Sequence, residues 1–299
     1  MKPEQTILVV GGNAAGAAAA AKAKRVNPNA NVIIFEQSKY ISTGTCELPY
    51  VLSGEIEDPQ SVVFYDEQRF IDEKKVYVYT NHQVVEINPR GKWITVNSLK
   101  EKKLNQFNYD KLILATGAKV KRVPQLSSEL VNVSLLKSVE DVIRIREIIK
   151  TAKQKKACVV GSGYIGLETA EALTKLGFEV YLVEQTGEPF PSADKEIRQS
   201  VKKILDDKRI IFFGNVGNIK YKIENSKVTG INYEGRSIEL DMVITCAGFS
   251  PNTSLSLQAK LEHGKFGGIK VNNKLQSSEK DIYACGDCIE VKNFITRSD

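Results

Sequence analysis

The sequence predicts an α/β protein built on two βαβ units. Three observations predict it. One strand–turn–helix–strand pattern occurs twice, at residues 6–37 and 157–185. Each copy carries glycines in the turn after its first strand and an acidic residue at the end of its second. Between the strands lies an Ala- or Leu-rich stretch of helical character, as a parallel sheet with crossover helices requires.

The first copy reads "TILVVGGNAAGAAAAAKAKRVNPNANVIIFEQ". A β-branched run forms a buried strand, Gly11 and Gly16 hold the outer glycine positions, and Asn13 takes the middle one. Glu36 follows 25 residues after Gly11. The second copy, "ACVVGSGYIGLETAEALTKLGFEVYLVEQ", meets the full G-x-G-x-x-G pattern at Gly161, Gly163 and Gly166, with Glu184 23 residues after Gly161. This spacing has a mechanism. The first glycine permits the tight turn, the second lets backbone approach a pyrophosphate, and the third lets helix pack on strand. The helix N-terminus offers free N–H groups to the phosphates. Glu184 suits a ribose 2′-OH and repels a 2′-phosphate, which favours NAD over NADP. The expected architecture is therefore two Rossmann-like dinucleotide-binding domains, implying electron transfer between two cofactors. Two further strands run into turns: "YDKLILATGA" into Ala115–Thr116–Gly117, and "EKDIYACGDC" into Gly286–Asp287. Trp93, in "GKWITVN", alternates as a residue of a small β meander does.

Composition excludes several classes. The chain has 299 residues, enough for two cores, with 42% hydrophobic and 26% charged residues. No apolar run approaches the roughly 18 residues of a membrane span. The start, "MKPEQTILVV", runs into a glycine turn rather than a signal-peptide cleavage site, so a cytoplasmic protein is expected. A net charge of +6 with scattered lysines argues against a nucleic-acid stripe and suits phosphate-bearing ligands. Two histidines support neither a hydrolase triad nor a metal site. Five cysteines, an odd number, argue for reduced thiols rather than a disulfide framework. Cys158 and Cys246 read as core, and the Cys285–Cys288 spacing as coincidental.

Cys46, in "ISTGTCELPY", has no second cysteine at hand. It can be buried filler, a metal ligand, or a nucleophile that pairs with a thiol outside the chain. If "CELPYVLS" opens a helix, the thiol lies in its first turn, where the dipole favours thiolate.

With "GGNAAG", "STGTCELPY", "ATGA", "GSGYIGLETAEAL", "CAGFSPNTSL" and "DIYACGDC" in this order, the whole chain resembles the FAD- and NAD(P)-dependent pyridine nucleotide-disulfide oxidoreductases, whose fold is glutathione-reductase-like. It is most similar to the single-cysteine branch: coenzyme A disulfide reductases, with NADH oxidases and NADH peroxidases. The resemblance implies an FAD-binding domain at 1–118 and 250–299, interrupted by an NAD-binding domain at 119–249. It implies that Gly11, Gly12, Asn13, Ala14 and Gly16 hold the ADP half of FAD, with Glu36 on its ribose. Ala115, Thr116 and Gly117 pass close to the FAD, and Asp287 bonds its ribityl or phosphate portion. Gly161, Gly163, Tyr164, Ile165, Gly166, Glu184 and Gly248 hold NADH. Tyr164 covers the flavin where nicotinamide docks, and Glu168 lies beside the nicotinamide.

Catalysis then falls to Cys46, Tyr164 and Glu168. Electrons pass from NADH through FAD to a Cys46 mixed disulfide, reducing CoA disulfide or a related CoA persulfide. In the oxidase and peroxidase relatives the same thiol cycles through sulfenic acid. Lys22, Arg25, Ser42 and Lys74 match CoA-binding positions, and Thr45 stands where these enzymes commonly have Asn. Lys22 and Lys74 also read as solvated lysines at a helix end, complementing its dipole. Family members continue for over a hundred residues, completing the FAD domain and adding a dimerisation domain, so a truncated form is expected. An inactive flavin- or NAD-binding module is the non-enzymatic alternative. Full-length relatives are homodimers; for this chain a monomer is one outcome.

Overall fold

A computed structural model describes residues 4–292 apart from Ser128 and Asn218. The stretch 293–299 of the expected FAD domain lies outside the described residues. The chain begins β1 (Thr6–Val10), α1 (Ala14–Val26), β2 (Asn31–Phe35), β3 (Ile41–Thr43), α2 (Leu48–Ser53), β4 (Val63–Tyr65), α3 (Glu67–Lys74) and β5 (Tyr77–Tyr79). A meander of β6 (His82–Asn88), β7 (Trp93–Ser98) and β8 (Lys103–Asn108) follows, then β9 (Lys111–Leu114) and β10 (Ala118–Val120). Next come β11 (Val133–Leu135), α4 (Val139–Thr151), β12 (Lys156–Val160), α5 (Tyr164–Lys175), β13 (Glu179–Val183), α6 (Lys195–Asp207) and β14 (Ile211–Phe213). A second meander, β15 (Lys220–Glu224), β16 (Lys227–Tyr233) and β17 (Arg236–Glu239), leads to β18 (Met242–Thr245) and β19 (Phe249–Pro251). The last elements are α7 (Ser254–Gln258), β20 (Ile269–Lys270), β21 (Ile282–Ala284) and β22 (Ile289–Glu290).

Two compact units result. One comprises the chain up to Thr43, Val63–Lys119 and the chain from Ser250; the other comprises Gly44–Val62 and Val120–Phe249. The first has a parallel sheet in the order β21-β9-β1-β2-β5, the second one in the order β11-β18-β12-β13-β14. In both, the chain leaves a central strand to one side and returns on the other. That reversal opens a crevice at the carboxyl ends of β1 and β12, the usual ligand position in such sheets. Each unit also has a three-stranded antiparallel meander. Trp93 opens the middle strand of the first.

Alternation along β1 divides the first core. Leu8 and Val10 pack with the meander residues Val84, Ile87, Ile94 and Val96. Ile7 and Val9 pack against Ala17 and Ala20 of α1. The alanine-rich face of α1 lets the helix lie close to the sheet. In the second unit Cys158, Tyr181, Val183 and Val243 pack on Val228 and Ile231 of the meander.

The sequence reading assigns Gly44–Val62 to the first dinucleotide domain, whereas the fold packs it with the second unit. The reason is local. Helix α2 buries Leu48, Val51 and Leu52 in its packing on α4 and α5. Each such side chain contributes roughly 1.5–3 kcal/mol.

Candidate active site

The two glycine turns share one backbone pattern. The Gly11 N–H donates to the Phe35 carbonyl (2.9 Å), and the Gly161 N–H donates to the Val183 carbonyl (2.8 Å). Both glycines have φ +103°, a conformation that only glycine adopts at little cost. A β-carbon on Gly11 would fall 2.2 Å from the Ala115 carbonyl oxygen, and one on Gly161 2.4 Å from that of Cys246. The third glycines are equally constrained: a β-carbon at Gly16 would lie 1.9 Å from the Gly11 oxygen, and at Gly166 1.8 Å from the Gly161 oxygen. These are the close approaches of strand, turn and helix that the spacing requires.

The middle position differs. A β-carbon on Gly163 would meet nothing within 4 Å. The space above this turn, at the N-terminus of α5, is what a pyrophosphate would fill. Asn13 has nearly the same backbone conformation, φ −85° and ψ −164° against φ −74° and ψ −173° at Gly163. Its side chain is engaged at β3, where its oxygen accepts from the Thr43 N–H (3.0 Å) and hydroxyl (3.2 Å). The imperfect copy thus keeps the turn and uses the extra side chain to anchor a neighbouring strand. Ala14, the first residue of α1, brings the helix's free N–H groups to this turn.

The strand-end acids hold these turns. Glu36 accepts from the Gly12 N–H (2.7 Å) and the Ser38 N–H (2.8 Å). Glu184 accepts from the Ser162 N–H (2.9 Å) and hydroxyl (2.8 Å), and its other oxygen from the Gln185 N–H (2.7 Å). That oxygen also accepts from the Thr186 N–H (3.2 Å), so a ribose hydroxyl would have to displace one of four donors at Glu184, whereas each Glu36 oxygen retains acceptor capacity.

Gly117 and Gly248 are a further matched pair. Their φ values are +62° and +86°, and neither would place a β-carbon within 4 Å of another atom. The Gly117 carbonyl accepts from the Asn252 N–H (2.8 Å), and the Thr116 hydroxyl donates to the Asn252 carbonyl (2.6 Å). Gly286 has φ +77°, and its α-carbon turns toward Ala15 of α1: an added β-carbon would lie 2.8 Å from the Ala15 side chain. Asp287 is exposed at this turn, beside the start of α1.

On the second unit Tyr164 opens α5 with 71% of its surface exposed. The ring of Phe190 meets it edge-on at 4.6 Å between centroids. Ile165 is half-buried, and its carbonyl accepts from the Thr169 hydroxyl (2.6 Å). Glu168, one turn beyond Tyr164, has its carboxyl pKa raised by partial burial and then by the charge of Glu171.

Cys46 is the one exposed cysteine of the five. That removes the buried-filler reading. It lies in the 3-10 turn Thr45–Glu47 rather than in the first turn of an α-helix, which starts at Leu48. Pro49 sets the boundary: a helix begun at Cys46 would need a Pro49 N–H to reach the Thr45 carbonyl, and proline has none. Thr45 is exposed beside it.

The expected CoA-binding residues Lys22, Arg25, Ser42 and Lys74 belong to the first unit, whereas Cys46 and Thr45 belong to the second. Lys22 and Arg25 are exposed along α1, and among the described residues neither is ion-paired. Lys74 already faces the Tyr65 ring at 4.9 Å and the Glu73 carboxylate at 3.5 Å. Ser42 has a left-handed φ of +49° and donates its N–H to the Gly12 carbonyl (3.0 Å), fixing β3 to the first turn.

A family model described as pyridine nucleotide-disulphide oxidoreductase matches residues 5–297. The chain belongs to this family. An NADH oxidase of Methanocaldococcus jannaschii is 32% identical over 294 residues, 97% of this chain and 64% of that one. A coenzyme A disulfide reductase of Staphylococcus aureus is 31% identical over 287 residues, 94% of this chain and 63% of its own length. The crystal structure of reduced Bacillus anthracis CoADR-RHD superposes with a TM-score of 0.92 at 33% identity, over 99% of this chain and 53% of that one. This pyridine nucleotide-disulphide oxidoreductase chain thus spans under two thirds of these relatives.

Three residues of this family member escaped the sequence reading. Ser162, buried between the glycines, holds Glu184; its place as the counterpart of Gly12 was the available signal. Phe190 has a left-handed φ of +56° and donates its N–H to the Ser162 carbonyl (3.1 Å). Arg146 on α4 reaches backbone carbonyls some 90 residues earlier, and no motif records such a contact. Among the described residues no helix is long and apolar enough to cross a membrane.

Proposed function

We propose that this chain holds FAD on its first unit and NADH on its second, and that Cys46 reduces a CoA-based disulfide. The observation that carries the reading is the single exposed thiol in a chain with two matched dinucleotide cradles. Bound FAD would supply two-electron transfer between a nicotinamide and a disulfide. Gly11, Gly12, Asn13, Ala14 and Gly16 would hold its pyrophosphate at the α1 N-terminus, with Glu36 on the ribose. Ala115, Thr116, Gly117 and Asp287 would line its remainder. Gly161, Gly163, Ile165, Gly166, Glu184 and Gly248 would hold NADH, with Tyr164 covering the nicotinamide position and Glu168 beside it. Glu184 favours NADH over NADPH, since a 2′-phosphate would face its carboxylate.

The Cys46 thiolate attacks one sulfur of a CoA disulfide. A Cys46–S–S–CoA bond forms, the substrate S–S bond breaks, and one CoA leaves as thiolate. Two electrons originating in NADH return Cys46 to thiolate and free the second CoA. One NADH, one proton and one CoA disulfide give NAD⁺ and two CoA thiols. Lys22, Arg25 and Lys74 offer charge to the CoA phosphates, and Ser42 and Thr45 offer hydroxyls. The name of the Staphylococcus aureus relative supports this substrate class. Free thiols in all five positions suit a reducing cytoplasm.

The Methanocaldococcus jannaschii relative favours a second reading, an NADH oxidase or peroxidase. There the Cys46 thiolate takes an oxygen atom from a peroxide to become sulfenate, and two electrons restore it with release of water. Anaerobic titration of the FAD-loaded protein with NADH tests both. A long-wavelength thiolate-to-flavin band is expected; bleaching of the flavin without it removes Cys46 from the chemistry. Turnover with CoA disulfide rather than peroxide selects the first reading. FAD content with neither turnover supports a binding module.

A further inference from the structure

The exposed thiol sits on a segment whose apolar anchor is the buried face of one short helix. Helix α2 has six residues, too few to persist by intrinsic propensity. Neither the 3-10 turn bearing Cys46 nor α2 has a side-chain hydrogen bond at its N-cap. Gly44–Val62 closes on itself at its neck, where the Gly44 N–H donates to the Val62 carbonyl (2.8 Å). The opposite end of the segment is held from outside. The half-buried guanidinium of Arg146, on α4, donates to the carbonyls of Glu57 (2.7 Å), Ile56 (3.0 Å) and Val51.

These three carbonyls lie at and just past the C-terminal end of α2. Val51 also accepts from the Gly54 N–H as the helix terminates in a left-handed glycine of φ +86°. One planar cation therefore satisfies backbone acceptors of the last turn and of the loop after it, where positive charge also complements the helix dipole. A guanidinium suits the task because its donors diverge in a fixed plane; an ammonium is a point charge and cannot hold three divergent carbonyls in the same way. Among the described residues an ion pair also reaches the segment from outside, Lys175 of α5 with Glu55 (2.6 Å), between side chains close to half exposed. A pair of that kind contributes little.

We infer that Arg146 is a positioning residue for Cys46: by clamping the C-terminal end of α2 it fixes the turn that presents the thiol. The inference rests on the reading of Cys46 as the redox thiol for its functional meaning, but the clamp is measurable without turnover. Arg146 touches neither thiol nor dinucleotide cradle. It acts through the backbone of α2.

The test compares the 299-residue chain with Arg146→Lys, Arg146→Met and, as a control, Lys175→Met. Hydrogen exchange by mass spectrometry reports the amides of residues 44–62 and those of β12, β13 and α5. Iodoacetamide alkylation, followed on the Cys46 peptide, reports the thiol. Exchange in residues 48–57 is expected to accelerate at least tenfold in both Arg146 variants, with β12, β13 and α5 as in wild type. The Cys46 alkylation rate should depart from wild type at least threefold, and Lys175→Met should change neither. Wild-type exchange and alkylation in the Arg146 variants would overturn the inference. So would acceleration spread evenly over the second unit, which marks a packing defect. If Arg146→Met does not fold, Arg146→Lys decides alone. Should the flavin band be missing from wild type, the redox reading falls while these measurements still judge the clamp.

Discussion

A β-carbon at position 166 would lie 1.8 Å from the Gly161 carbonyl oxygen, while one at position 163 meets nothing within 4 Å. Two glycines three residues apart therefore answer to different demands, and alanine separates them. Gly166→Ala must push α5 away from the turn and is expected to destabilise the chain by about 1–3 kcal/mol. Gly163→Ala should melt within about 1 kcal/mol of wild type, since only the N-cap preference is disturbed. It should nevertheless weaken NADH binding roughly tenfold by filling the phosphate space, equivalent to ~1.4 kcal/mol. Thermal melts and fluorescence titration with NADH read the two effects, and a Gly163→Ala protein that binds NADH normally removes the cradle from that position. Cys46→Ser gives the complementary residue-scale outcome. Flavin reduction by NADH should persist, whereas CoA disulfide turnover should fall roughly 10³-fold or more, as for loss of a nucleophile. Stopped-flow absorbance and CoA thiol release separate these steps. The glycines were legible in the sequence because strand, turn and helix follow one another there, which fixes the spacing of the pattern. Ser162 was not, because its partner Glu184 already had an expected role in ribose recognition.

Strands are tied together by charges as well as by ladders. Asp281, just before β21, accepts from Lys111 of β9 (2.7 Å) and from Lys92 in the turn between β6 and β7. Lys111 first and Lys92 second hold its carboxyl at about 2, below the ordinary carboxylate range. The sign follows: a carboxylate depressed in the folded chain stabilises it above the unfolded pKa near 4, and that stabilisation is lost as pH falls towards 2. Asp281→Asn should therefore lower the melting temperature by a constant amount from pH 7 down to about pH 5. The gap between variant and wild type should then close between about pH 4 and 2; a gap unchanged with pH would assign the effect to hydrogen bonding alone. The parallel βαβ elements were legible from apolar runs and turn residues. The start of α2 was not, because "CELPYVLS" reads as one helix until the missing Pro49 N–H is counted. Nor was the attachment of Gly44–Val62 to the second unit, since the apolar face of α2 does not name the helices it packs on, and Arg146 grips carbonyls, which every residue has.

Five free thiols sit in contrasting environments across the molecule, and together they report on both units. Burial pushes Cys158 and Cys246 in the second unit up to about 12. In the first unit burial, and then the neighbouring Cys288, raises Cys285 to about 11. Cys288 is fully buried, its sulfur against the carbonyls of Cys285 (3.2 Å) and Leu114 (3.4 Å). Cys46 is the exposed one, Cys246 and Cys285 are partly covered, and Cys158 is buried like Cys288. Because thiolate is the reactive form and the other four are buried or partly covered, they react slowly and chiefly when their unit opens. Ellman's reagent at pH 8 should therefore titrate one thiol per native chain in the fast phase and five in denaturant, and Cys46→Ser should abolish the fast phase. The slow phases carry more information. Cys158 and Cys246 follow opening of the second unit, Cys285 and Cys288 opening of the first. A ligand bound only to the folded unit suppresses its opening by the factor 1 + [L]/Kd. NADH is expected to protect Cys158 and Cys246, and FAD to protect Cys285 and Cys288, as peptide mass mapping of the modified thiols would reveal. Reversed protection would mean that the two cradles hold the opposite cofactors, because a ligand that binds one folded unit slows only the opening that frees that unit's thiols.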